Sequence, residues 1–145
     1  MLIFRKKNII FGCVGFGSLI IGLFIYLIFR ENTYVAKFVS AMVNLKFLRE
    51  VFLPFENDFI KYYLADYLWC LSLSCGLHII FLPDMKKSIV LTIISFIFGI
   101  AYECLQKFNI INGTGDKIDI ILYLLAALTV NLINFILIKK EEKTK

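Results

Sequence analysis

Four stretches of this chain, residues 9–29, 64–82, 88–106 and 118–138, are apolar over about the length a helix needs to cross a hydrocarbon layer. Few chains of 145 residues carry so much apolar sequence. With 60% hydrophobic residues and 15 Phe, there is too little polar sequence to clothe a core in water. The predicted fold class is therefore all-α: a polytopic membrane bundle of four transmembrane helices, forming one domain over residues 1–145. The first stretch follows Arg5, Lys6 and Lys7, as a signal peptide would, but it is longer than the apolar region of such a leader. No small-residue cleavage site follows it, so it is predicted to stay as a span.

The 30–62 connection is more than a loop. Lys37, Ser40 and Asn44 mark a polar stripe through residues 34–52 with mostly apolar residues between, the period of an amphipathic helix. Lys46, Arg49 and Glu50 would make spanning costly, so one interfacial helix is expected to lie along the headgroup plane and to end at Pro54. It reads either as a tether between two spans or as a lid or docking surface over a site.

The formal charge of +5 raises nucleic acid as a partner. The basic residues, however, sit in small groups beside apolar runs rather than along a polar face interleaved with aromatics. Membrane lipids with anionic headgroups fit better, and no nucleic-acid role is expected. Cys13, Cys70, Cys75 and Cys104 fall inside apolar runs without metal-ligand or redox spacing, and read as small packing residues. The sequence calls for no metal and no cofactor. Gly12, Gly15, Ser18 and Gly22 give the first span a face of small residues suited to close helix packing. His78, the lone histidine, reads as a hydrogen-bonded residue near a span end.

Acids stand out against this background. Asp66 lies two residues inside the second span, with Tyr62, Tyr63, Tyr67 and Trp69 forming an aromatic belt around it. In the third span Ser88, Thr92, Ser95, Gly99, Tyr102, Glu103 and Gln106 share one helical face, which turns Glu103 toward the bundle interior. The fourth span opens with Asp116 and Asp119, and these continue through Tyr123, Ala127, Val130 and Asn134 as a second stripe. Acids at a helix N-terminus also cap free N–H groups, which is the competing reading for Asp116. Ionisable groups at a membrane edge are costly enough to demand a reason.

With four spans the two chain ends share a side. Nine Lys and Arg lie on that side against seven on the other, so both termini are expected in the cytoplasm of a multi-pass cell-membrane protein. Asp66, Glu103, Asp116 and Asp119 then all reach the outer face, delivered by three helices to one depth. The candidate ligand-binding residues are Asp66, Glu103, Gln106, Asp116, Asp119 and Tyr123.

These same residues resemble the VanZ-like family of small bacterial membrane proteins. The likeness rests on Asp66-x-Leu68-Trp69, on Glu103-x-x-Gln106, and on Gly113-Thr114-x-Asp116-x-x-Asp119, over roughly residues 57–138. The chain departs from better-known members in lacking an Arg before the final Asp, and in having Tyr123 and Ala126 where Asn and Gly are common. The resemblance implies a cell-envelope protein and, through the family's namesake, a link to glycopeptide antibiotic sensitivity. Three functions stay open. One is binding of a lipid-linked, amphiphilic or glycopeptide ligand by the acids. Another is an intramembrane hydrolase or transferase using Glu103 as acid or base, or carboxylates around a divalent cation. The third is a small transporter, or a subunit in an oligomer or beside a membrane-protein partner.

Overall fold

A computed structural model describes residues 2–30, 34–111 and 116–143, and among them the chain is helical with no strand. The turn expected at Asn112 to Gly115, with the Gly113-Thr114 part of the motif, lies outside the described residues. Helix α1 runs Leu2–Phe29, α2 Tyr34–Met42 and α3 Lys46–Phe52, followed by a 3₁₀ turn Leu53–Phe55. A π-helical stretch Phe59–Leu64 then leads into α4, Ala65–Phe81; α5 is Met85–Lys107 and α6 is Lys117–Glu142. Four of these helices, counting the π-helical stretch with α4, are long and apolar enough to cross a membrane.

Helix α4 is the centre of the bundle, packing on α1, α5 and α6, while α5 and α6 also pack on each other. The seam of α1 is a heptad pattern: Phe11, Gly15, Ser18, Gly22, Ile25 and Phe29 are all buried. Alternating steps of four and three residues keep one stripe facing one partner. At Gly15 the helices approach closely, since a Cβ there would stand 2.8 Å from Cβ of Cys75. Gly12 meets nothing within that reach. It drops out of the expected small-residue face because the preceding residue, Phe11, fills the seam and sets its ring 5.1 Å from His78. Two apolar clusters result, one of Phe11, Cys70, Leu71, Cys75, Tyr123, Ala126 and Val130, the other of Ile25, Ile28, Phe29, Ala65 and Leu68.

The cysteines divide. Cys70 and Cys75 are buried as expected, but Cys13 and Cys104 are exposed on the outer faces of their helices, where the apolar surface they join is of the kind lipid covers. Residues 34–52 form two short helices rather than one. The break at 43–45 is fixed by Asn44, whose Oδ1 accepts from the N–H of Lys46 at 3.0 Å and offers the backbone an alternative to continuing the helix. Pro54 falls in the 3₁₀ turn just past α3. This segment packs on α1: the ring of Phe52 stands edge-on to Phe24 at 5.1 Å, and Arg49 Nη2 donates to the carbonyl of Leu27 at 3.1 Å. Arg49 thereby caps one of the last carbonyls of α1, which otherwise lack intrahelical partners.

The ends of the bundle are equally specific. Between α4 and α5, Leu82 takes a left-handed conformation (φ 44°), Pro83 prevents continuation, and Asp84 caps α5 by accepting from the N–H of Lys87 at 2.9 Å. After α5, Asn109 is left-handed (φ 56°), its N–H donating to Gln106 O and that of Ile110 to Leu105 O, both at 2.9 Å. This pair of bonds is a Schellman closure with Asn in the place glycine usually takes. At the opposite end of the bundle, Lys7 pairs with Glu141 at 3.2 Å, joining the beginning of α1 to the end of α6.

Candidate functional site

Glu103 is the most deeply placed of the acids and the most fully held. It sits on the inward face of α5, 5% exposed. Its Oε1 accepts from the hydroxyl of Tyr123 at 2.8 Å, and its Oε2 from the backbone N–H of Asp116 at 3.0 Å. The first bond depends on Gly99, one turn earlier on α5: a Cβ there would lie 2.5 Å from the Tyr123 ring, so only glycine lets the phenol lie flat against α5 and reach the carboxylate. The second depends on the Schellman closure, which turns the chain back toward α6 just beyond Glu103.

Asp116 fulfils the capping reading and more. Its Oδ1 accepts from the N–H of Ile118 at 3.1 Å, and its Oδ2 from the hydroxyl of Tyr63 at 3.2 Å. Asp119, in the first turn of α6, is 6% exposed, and its Oδ1 has no hydrogen-bond partner among the described residues. Asp66 is paired with Arg30, Nη2 to Oδ2 3.2 Å. The four carboxylates form one electrostatic neighbourhood, Asp66 feeling Arg30 and Glu103, and Asp119 feeling Asp66, Glu103, Asp116 and Arg30.

Arg30, directly after the end of α1 and not among the residues expected at the site, is a hub. Its Nε donates to Lys61 O and its Nη2 to Tyr62 O, both at 2.8 Å, as well as to Asp66. The accepting carbonyls belong to the π-helical stretch Phe59–Leu64, whose altered register disturbs the ordinary helix ladder; such segments favour functional positions. The guanidinium also faces the rings of Tyr26 and Tyr62, 5.1 and 5.5 Å from their centroids. A signal was available: Arg30 closes one span and Asp66 opens the next, so the two fall at the same depth.

Of the six residues expected at the site, Asp66, Glu103, Asp116, Asp119 and Tyr123 come together. Gln106 is half-buried one turn beyond Glu103, where its side chain meets Tyr102, and it makes no hydrogen bond to the four acids among the described residues. Compared with family profiles, curated proteins and solved structures, the chain has no match in any of the three. Its chemistry has to be read from its own side chains.

Those side chains offer acceptors. Glu103 and Asp116 have both oxygens engaged by donors and Asp66 has its guanidinium, but Asp119 brings a nearly buried carboxylate oxygen with no donor from the described residues. A polar atom buried in that condition costs about 1–3 kcal/mol, and more if charged. No group of three or more His, Cys, Asp and Glu among the described residues is placed to hold a metal ion.

His78, expected as a hydrogen-bonded residue, belongs to a second polar network farther along the bundle. His78 is fully buried, Nδ1 2.8 Å from Ser74 O and Nε2 2.8 Å from Ser88 Oγ. Ser88 bonds Asn131, Asn131 bonds Thr92 (each 2.7 Å), and Ser74 bonds Ser95. The polar stripe of α5 is here helix-to-helix glue, hydrogen bonds that replace water in an apolar phase.

Proposed function

We propose that this chain is a cell-envelope membrane protein of VanZ-like type that binds an amphiphilic or lipid-linked ligand, its polar head at the acids and its apolar part along the bundle. Both termini would be cytoplasmic and the acid cluster outward. The observation that carries this reading is Asp119 Oδ1, a nearly buried acceptor with no donor among the described residues, beside the carboxylates of α4 and α5. A head group with hydroxyl or amine donors would supply the missing hydrogen bond and offset the like charge. Binding is favoured over catalysis because Glu103 is held at both oxygens, which suits a rigid acceptor wall more than a group that must exchange protons freely.

The test is native mass spectrometry of the protein extracted with its own lipids. A retained amphiphile bearing hydroxyl or amine groups, lost from Asp119→Asn at unchanged protein yield, is the expected result. Wild-type protein free of any such adduct, or one retained equally by Asp119→Asn, would remove the basis of the proposal.

A further inference from the structure

The break between α2 and α3 opens a cleft of ≈ 360 Å³, in a segment the acid site does not use. Ser40, Asn44, Lys46 and Arg49 supply its polar lining, and no Asp or Glu among the described residues lines it. Its cations are differently anchored. Arg49 is fixed by its bonds to Leu27 O and to Ser40 Oγ (3.3 Å), so its charge is held in place, whereas Lys46 is exposed at the start of α3. The Asn44 turn that breaks the helix also sets the position of Lys46, through its bond to that residue's N–H.

What surrounds the cleft narrows its occupant. Met42 and Phe47 are each 71% exposed, and Val43 between them is exposed as well. An apolar rim beside a pair of cations suits neither a soluble anion nor a nucleic acid. It matches the boundary where acyl chains give way to headgroups, with apolar side chains in the one and cations in the other. We propose that the cleft binds the phosphate of an anionic phospholipid, its charge met by Lys46 and Arg49 and its acyl chains lying over Met42, Val43 and Phe47. Loading this site would also tie α2 and α3 to the membrane surface at the end of α1.

The experiment titrates detergent-solubilised full-length protein with phosphatidylglycerol or with phosphatidylcholine, and counts bound lipid by native mass spectrometry. Phosphatidylglycerol should bind in preference, and Lys46→Gln should weaken it about fivefold, the effect of one interfacial cation. Lys37→Gln removes an exposed cation of α2 that does not line the cleft, and should change binding less than twofold. Lys46 is exposed, so folding is not at stake, and equal thermal melting of both variants checks this. Equal binding of the two lipids, or equal losses in Lys37→Gln and Lys46→Gln, would overturn the proposal by showing diffuse attraction without a site. Displacement of phosphatidylglycerol by millimolar inorganic phosphate would overturn it too, by naming the free ion as the occupant.

Discussion

Arg30 donates to two carbonyls and a carboxylate at once, and a planar guanidinium can reach all three while an ammonium cannot. Arg30→Lys should therefore behave as a loss. In a thermal melt in mild detergent, Arg30→Gln should cost about 1–3 kcal/mol, because it leaves the Asp66 carboxylate partly buried without its cation. Adding Asp66→Asn should recover part of that loss, since it removes the stranded charge; a double variant weaker than Arg30→Gln by the full cost of the second change would mean that the two residues do not act as a pair. At Tyr123 a Phe keeps the ring against Gly99 but withdraws the donor from Glu103, and should destabilise by about 1–3 kcal/mol in the same assay. The acids were legible in the sequence because carboxylates in apolar runs are conspicuous. Arg30 was not, because a cation next to a span end is ordinary, and its partner stands 36 residues away, brought near only by the packing of α1 on α4.

Among the elements, periodicity carried most of the information and local backbone chemistry the rest. The stripes on α5 and α6 placed Glu103, Asp119 and Tyr123 inward, as a 3.6-residue period requires. The same reasoning put Gly12 on the α1 seam, where Phe11 stands instead, because small size alone does not say which side of a near-tie faces the partner. The π-helical register before α4 had no clear signature, since its carbonyls are taken by Arg30 from the end of another helix, whereas the left-handed Asn109 closes α5 through local backbone bonds. Glycine substitutions separate these cases. Gly99→Ala drives a methyl group into the Tyr123 ring and should cost about 1–3 kcal/mol, with looser hold on Glu103. Gly12→Ala meets open space and, as a better helix former, should be neutral or slightly stabilising. Equal melting temperatures for the two variants would show that α5 and α6 do not approach as closely as 2.5 Å contact geometry demands.

At the level of the whole molecule, the four long helices leave much of their apolar surface outward, with residues such as Phe16, Ile80, Phe98 and Leu128 more than half exposed, as a bundle does whose solvent is lipid. The number of spans was readable from length and hydropathy alone. Their arrangement around α4 was not, because four apolar helices of similar length permit several packings and only side-chain fit selects one. Orientation is a separate matter, resting on the charge count. Reporters fused at the C-terminus and within residues 84–87 should be cytoplasmic, and one within residues 109–114 outside; a cytoplasmic signal from the last would invert the molecule and put the acids inward.

The central claim is that carboxylates from α4, α5 and α6 act together as one ligand site. Native mass spectrometry of the co-purified amphiphile, compared across wild type, Glu103→Gln, Asp119→Asn and the double variant, tests it most directly, because isosteric amides remove charge while largely keeping shape. Residues that hold one ligand are not additive. Each single change is expected to lower retention at least tenfold, with the double variant little worse than either. Full retention by both single variants, or losses that simply multiply in the double, would contradict the account and leave the acids as independent structural groups.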